Sequence, residues 1–303
     1  MDAFERLETA IAGKTPDRIP VSLWFHFGSE HLPPETVARL HIEFHRTYRW
    51  DFLKVMFDYR LELPAAVDAG HGIDLDTLLS ETDWRAPFAR QRDCLAILKR
   101  QLGDEVPLVE TVYSPFMYLL RHVGHDHRQS LLDRPEPVAA ILDRLCEEAC
   151  RHVDALKELA VYGVFFATTA GSTVAGSSEL ALQAPRDRTV LDRASGLKRF
   201  LHLHGAGASA ADLADYPREV LHSDGNDLAE LRKGGEKAIM GGLPHASLTR
   251  MSLASVRSQI AGAIDSAGRA GFILAPGCSV SPSLARRTML AIRNSEHLDT
   301  TAS

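Results

Sequence analysis

Residues 200–205 read FLHLHG. Side chains alternate faces along a strand, so His202 and His204 share one face and Leu201 and Leu203 take the other. The run ends in GAG (205–207), where a strand must stop, which puts both imidazoles at a strand's carboxyl end. Such a pair is either two polar residues at a core edge or two ligands of a metal ion. The stretch APGCSVSP (275–282) offers a third ligand type: Pro276 and Gly277 bend the chain after an apolar run and hold Cys278 outside it. Two imidazoles and a thiolate suit zinc, and three protein ligands with one open position is the pattern of a catalytic site. The stretch HVGHDHR (122–128) gathers His122, His125 and His127, but it follows MYLLR and reads as a polar loop after a helix.

Positioning these groups requires a scaffold. Short apolar runs at 18–24, 52–57, 106–113, 163–168, 198–204, 219–223, 237–242 and 271–277 read as strands. Several are apolar at nearly every position, as in strands buried on both faces of a parallel sheet. Amphipathic patterns lie between them, the longest at 133–160 and another at 253–270 after a cap-like SLTRMS. Eight strands alternating with helices predict a (β/α)8 TIM barrel with an N-terminal helix, as one domain over 1–303. No GxGxxG follows the first strand, which weighs against an open doubly wound sheet.

In such a barrel, function lies where the strands end. Those ends carry His26, Asp58, Tyr113, Thr168, the His202–His204 pair, Asp224 and Cys278, with His245 close to the seventh. Strands five and eight are not neighbours, so the two imidazoles and the sulfur must reach across the mouth. Asp58, His26 and Tyr113 are the candidate catalytic groups, with Asp58 orienting the substrate or acting as a base. Asp224, His245 and Thr168 are candidates for holding substrate or supporting the ligands.

Composition narrows the class of activity. The chain has 303 residues, 45% hydrophobic and 24% charged, with a net charge of -6. No basic face invites nucleic acid. No apolar stretch approaches the roughly 20 residues of a membrane span. The first residues lack the basic start and apolar block of a signal peptide. Four cysteines (Cys94, Cys146, Cys150 and Cys278) then suggest reduced thiols in a cytoplasm. Cys146 and Cys150, four apart on a helix, share a face and read as packing, as does Cys94.

The stretches PDRIPVSLWF, WDFLKVMFD, VYSPFMYLL, FFATTAGS, FLHLHG, IMGGL and GFILAPGCSVSP together resemble the uroporphyrinogen decarboxylase superfamily over nearly the whole chain. The resemblance implies a (β/α)8 barrel and one of two chemistries. One branch decarboxylates the acetate arms of a porphyrinogen without a metal. The other consists of zinc-dependent methyltransferases that move a methyl group between a corrinoid and a thiol such as coenzyme M. The decarboxylase pattern has two arginines around a glycine; here WFHFGSEHLPP keeps Gly28 and Leu32-Pro33 but has Phe25 and Ser29 in the arginine positions. A substrate with eight carboxylates needs such cations. Asp58 does match the decarboxylase aspartate that binds pyrrole NH groups.

The methyltransferase pattern takes its zinc ligands from a His-x-Cys step and a late Cys. His202 and Cys278 match, and His204 stands in place of the first cysteine. Imidazole in place of thiolate raises the site's charge by one unit, so a bound thiolate forms more easily and is a poorer nucleophile. The resemblance thus implies a methyl- or alkyltransferase that uses Zn2+ for a small-molecule substrate. It also implies a corrinoid carried by a partner protein and a homodimer. The alternative is a metal-free decarboxylase or lyase, which would gather Arg39, Arg60 and Arg121 at the mouth. A non-catalytic binding protein would instead have its three ligands scattered.

Overall fold

The computed structural model describes residues 1–64, 73–170, 176–205, 213–225 and 228–295. Seven strands form one parallel sheet in sequence order. They are β1 (Leu53–Val55), β2 (Leu108–Tyr113), β3 (Gly163–Thr168), β4 (Lys198–Leu203), β5 (Val220–Ser223), β6 (Ile239–Leu243) and β7 (Phe272–Pro276). Each matches an expected run within two or three residues. β2, β3, β6 and β7 are buried at every position, which explains their largely apolar character, Glu110, Thr111 and Thr168 apart. Helices separate most strands; the two expected from periodicity run Pro135–Glu158 and Leu253–Ala267. The Ser252 hydroxyl caps the latter by accepting from Ser255 N–H.

The expected first strand, 18–24, is the exception: it makes one isolated parallel bridge, Val21 to Leu274. Pro20 has no N–H to give a ladder, although its carbonyl accepts from Leu274 N–H at 2.9 Å. On its other side, side chains replace backbone partners. Asp51 Oδ2 accepts from Val21 N–H at 2.9 Å, and Ser22 Oγ donates to the Phe52 carbonyl at 2.8 Å. The Asp51 amide adds a bond to the Val21 carbonyl at 3.0 Å. The segment thus joins β7 to the residues leading into β1, and the sheet curls around it.

The chain opens with a helix, Ala3–Ile11, begun by a capping box between Asp2 and Glu5. Arg6 on this helix and Arg18 both bond the buried Asp51 carboxylate, at 2.9 and 2.6 Å. Glu8 reaches Tyr162 and Lys198 at the starts of β3 and β4. The helix therefore covers the end of the sheet opposite the candidate site.

Alternation along the strands sorts the interior into layers. Phe52 and Phe200 stack at 5.9 Å in the lowest layer. Lys54, Thr111, Phe165 and His202 stand above them, and Tyr113, Ala167 and His204 come next, lining a cavity. Thr168 falls on the opposite parity and faces the helix Ser177–Arg193, where its hydroxyl donates to Asp187 at 2.8 Å.

Breaking a buried ion pair by deleting one partner costs about 3–5 kcal/mol, because the other charge is left buried. Asp51→Ala should lower unfolding stability by about that amount in urea titrations. Asp17→Ala, at the exposed side of Arg6, should cost about 1 kcal/mol or less.

Candidate metal centre

β4, β5 and β7 deliver four donor groups to one point. His202 and His204 come from the end of β4, Asp224 from the residue after β5, and Cys278 from the turn after β7. One ligand atom from each lies within 4.8 Å of every other. His202 Nε2 is 3.2 Å from Asp224 Oδ1, His204 Nδ1 is 3.0 Å from Asp224 Oδ2, and Cys278 Sγ is 3.8 Å from His204 Nδ1. Zinc bonds of about 2.0–2.3 Å place tetrahedral ligand atoms roughly 3.3–3.8 Å apart, so small side-chain adjustments suffice.

Local backbone structure explains the convergence. The Asp224 amide donates to the Leu203 carbonyl at 3.1 Å, extending the β4–β5 ladder by one residue. Gly205 N–H donates to Asp224 Oδ2 at 2.9 Å and fixes the carboxylate. The rest of the GAG stop, residues 206–207, lies outside the described residues. Gly277 lets the β7 turn press against β5: a Cβ there would stand 2.6 Å from the Asp224 carbonyl oxygen. His202 stacks on Phe165 at 5.0 Å and sits 4.7 Å from His222. His222 donates from Nε2 to the Pro276 carbonyl at 2.9 Å, and burial together with the charge of His202 keeps its ring neutral.

The donors fit a cation chemically. Asp224 Oδ1 is buried and makes no hydrogen bond, although an imidazole nitrogen faces it. Asp224, then Cys278, hold the His204 imidazolium up to about 10. Burial works against the Cys278 thiolate, but His202 and His204 overcome it and bring the thiol down to about 5. Burial likewise opposes the Asp224 carboxylate, and the same two imidazoles hold it well below the usual carboxylate range. Without a metal, the site is a thiolate and a carboxylate balanced by imidazolium, all of which a divalent cation can replace by displacing protons.

Asp224, expected to hold substrate or support the ligands, brings a carboxylate oxygen within 4.8 Å of the three expected donors, so four protein donors surround the point rather than three. The sequence signal was its place one residue past β5, the strand that pairs with β4.

A cavity of about 190 Å³ opens beside the quartet. Across from the ligands, the Asp58 carboxylate lies 2.6 Å from His26 Nδ1 and accepts from Ser29 Oγ at 3.0 Å and Phe27 N–H at 3.2 Å. Burial would raise Asp58, but His26, then Arg121, hold it down to about 2. So acidic a group is a poor proton acceptor, which tells against Asp58 as the base and for its role in orienting His26. Ser29, in an expected arginine position, spends its hydroxyl on this carboxylate.

Tyr113 lines the cavity, its phenol pushed up to about 12 by burial, with Arg121 over its ring at 4.9 Å. Of the three arginines expected to gather for an acidic substrate, Arg121 alone lines the cavity, while Arg39 and Arg60 are exposed outside it. Arg121 already donates to the Phe57 carbonyl at 2.7 Å.

Other expectations scatter. Thr168 points behind the sheet, because strand alternation turns it away from its neighbour Ala167, which lines the cavity. His245 sits beside Gly277, with Nδ1 3.2 Å from where a Cβ would stand, and makes no hydrogen bond to the quartet. Of the HVGHDHR histidines, His125 lines the cavity, while His122 donates to the Tyr118 carbonyl at 2.6 Å. Lys54 was passed over altogether, although a lysine inside the apolar run FLKVMF was signal enough. It lines the cavity while only 4% exposed.

The uroporphyrinogen decarboxylase (URO-D) family model matches residues 2–297. No curated protein matches the sequence. Among solved structures, a methyltransferase from Methanosarcina mazei is similar with a TM-score of 0.74 at 17% identity, covering 98% of each chain. A B12-independent methionine synthase from Shewanella sp. W3-18-1, in complex with selenomethionine, is similar with a TM-score of 0.55 at 12% identity, covering 94% of this chain and 93% of that one. At these identities, the likeness shows the fold alone. No helix among the described residues is long and apolar enough to cross a membrane. By the extent of the family match, the chain belongs to the uroporphyrinogen decarboxylase family.

Proposed function

We propose that the protein is a zinc-dependent methyl- or alkyltransferase that activates a thiol or hydroxyl substrate. The observation carrying this reading is the quartet itself: His202, His204, Asp224 and Cys278 within 4.8 Å of one another beside a cavity. Held by three of these donors, with the fourth giving way to the substrate, zinc would supply positive charge that stabilises the substrate's anion and so favours loss of its proton near neutral pH.

The chain's residues set that charge. Cys278 and Asp224 bring two negative charges, so a doubly charged cation is neutralised. Asp224 returns the charge that His204 removes by standing in place of a cysteine. The stacking of His202 on Phe165 and its contact with His222 fix the ligand's orientation. Asp58, ionised and able only to accept, fixes the proton of His26 on Nδ1 and leaves Nε2 free to take the substrate's proton at the mouth. Tyr113 keeps its proton and donates to bound substrate.

The alkyl group arrives from outside the mouth, and a corrinoid carried by a partner protein is the donor that fits this reading. The remaining expectations go with it: a single domain, a homodimer, a cytoplasmic location and a (β/α)8 barrel whose first strand is reduced to the Pro20–Trp24 segment. The rival reading, a metal-free decarboxylase or lyase of a carboxylated substrate, draws on Asp58 and the cations lining the cavity. A decayed binding site is disfavoured by the convergence of the ligands.

Metal analysis separates these readings. Protein purified without a histidine tag from metal-replete growth should hold about one equivalent of zinc, lost in Cys278→Ser and in His204→Ala; metal-free wild type would overturn the proposal. Because His204 keeps its proton up to about 10, zinc loading at pH 8 should release at least one proton. Calorimetry in buffers of different ionisation enthalpy measures this. Affinity should fall as pH drops, and more steeply below about 5, where Cys278 also takes a proton. Gly277→Ala should weaken zinc binding about 10- to 100-fold by forcing apart the turns that carry Cys278 and Asp224.

A further inference from the structure

Lys54 has no use in the mechanism above, yet its position is unusual. It lies on β1 in the second layer of the interior and is 4% exposed. Its Nζ donates to Thr111 Oγ1 at 2.8 Å and stands 3.3 Å from the Met56 sulfur. The ring of Phe165 lies 4.3 Å away and that of Trp24 5.2 Å. It forms no ion pair with any carboxylate among the described residues. Thr111 cannot supply compensating charge, and its own proton goes to the Val55 carbonyl at 2.6 Å.

An ammonium buried without a counter-ion is costly, and aromatic faces offset only part of that cost. Burial accordingly draws its pKa down to about 7. An ammonium has three N–H donors. Thr111 takes one, the thioether is a weak acceptor for a second, and the cavity lies open to what remains. The other cation on the wall, Arg121, is already engaged by Asp58 at 3.7 Å and by Phe57. Among the described residues, Lys54 is therefore the lining cation without a carboxylate partner.

We propose that Lys54 and Thr111 form an anion subsite on the floor of the cavity, which receives a singly charged oxyanion group of the substrate, such as a carboxylate. One ammonium in an apolar cage neutralises one charge, so phosphate-type dianions are disfavoured. This rests on the reading of the quartet as the site that takes the substrate's thiol end. The substrate then stands with its reacting atom toward Cys278 and His204 and its anionic end toward β1. The cavity of about 190 Å³ limits it to a small molecule. Lys54 acts here as a specificity-determining residue and takes no part in bond making.

The test is calorimetric binding of 3-mercaptopropionate and its neutral near-isostere 3-mercaptopropan-1-ol to the zinc-loaded protein. Wild type should bind the carboxylate at least about 10-fold more tightly, as a charge-assisted hydrogen bond to a buried group provides. Lys54→Met should abolish that preference while still binding the alcohol. If Lys54→Met does not fold by circular dichroism, Thr111→Val, which removes the oxygen that holds the ammonium, should reduce the preference instead. In Cys278→Ser both thiols should weaken, with the preference kept. That arm isolates the metal reading: affinities unchanged in Cys278→Ser, with a preference that depends on Lys54, would sink the quartet's role and leave the subsite standing. Equal affinities in wild type, no binding of either thiol, or a preference that survives both Lys54→Met and Thr111→Val would overturn the subsite.

Discussion

One hydrogen bond at the end of the sheet sets the geometry of the site. The Asp224 amide donates to the Leu203 carbonyl, continuing the parallel ladder one residue past β5. His202 pairs in register with His222, and Leu203 with Ser223. The following residue therefore carries its carboxylate up between the two imidazoles, which share a face because they are two apart. Cys278 reaches the same point because Gly277 allows the β7 turn to meet the Asp224 backbone without a side chain between them. A donor cluster built this way needs no long loops. It depends on strand register, which a buried parallel sheet enforces strongly.

The interior above the Phe52–Phe200 layer is costly to bury. His202, His222 and Lys54 all lie in it, each with little or no contact with water. An interior chosen for stability would fill these positions with branched aliphatic side chains. The cost falls unevenly. His222 stays neutral and finds a carbonyl, and His202 gains from Asp224 and Cys278, whereas Lys54 finds only a hydroxyl, a thioether and two rings. Groups left incompletely partnered inside a well-ordered sheet are where ligands are awaited. The opposite face of the same strands shows the contrast. There the equally buried Glu110 carboxylate meets His152 at 3.2 Å and Gln91 at 3.1 Å, so the charge-bearing group finds partners within the chain.

The Asp58 cluster shows how surroundings set what a carboxylate can do. Its place at the end of a strand singled it out, and it stands behind two residues that line the cavity, His26 and Arg121. Its proton affinity, however, is set by neighbours from two other stretches: His26 and Ser29 from one, Arg121 from the other. Their combined hydrogen bonds and charge outweigh burial, which alone would have raised it toward a base's range. Sequence position places a carboxylate; only its surroundings decide whether it takes protons or holds a partner still.

By itself, the sequence determined the alternation of apolar runs and helices, the strand ends, and the shared face of His202 and His204. These follow from local periodicity and from the glycines and prolines that stop each run. It also singled out Cys278, because the Pro-Gly bend places this cysteine past the apolar run rather than within it. The tertiary structure decided what depends on neighbours distant in the chain. Pro20 and the Asp51 carboxylate reduced the expected first strand to a single bridge, a matter of competing hydrogen-bond partners. Asp224 joined the two imidazoles and Cys278 because β5 lies beside β4. Thr168 turned outward by strand parity, and Lys54 acquired its role because the residues around it, brought together from four stretches of chain, include no carboxylate to pair with it. Local pattern fixes which residues reach the mouth; register and packing fix which of them meet, and in what state of charge.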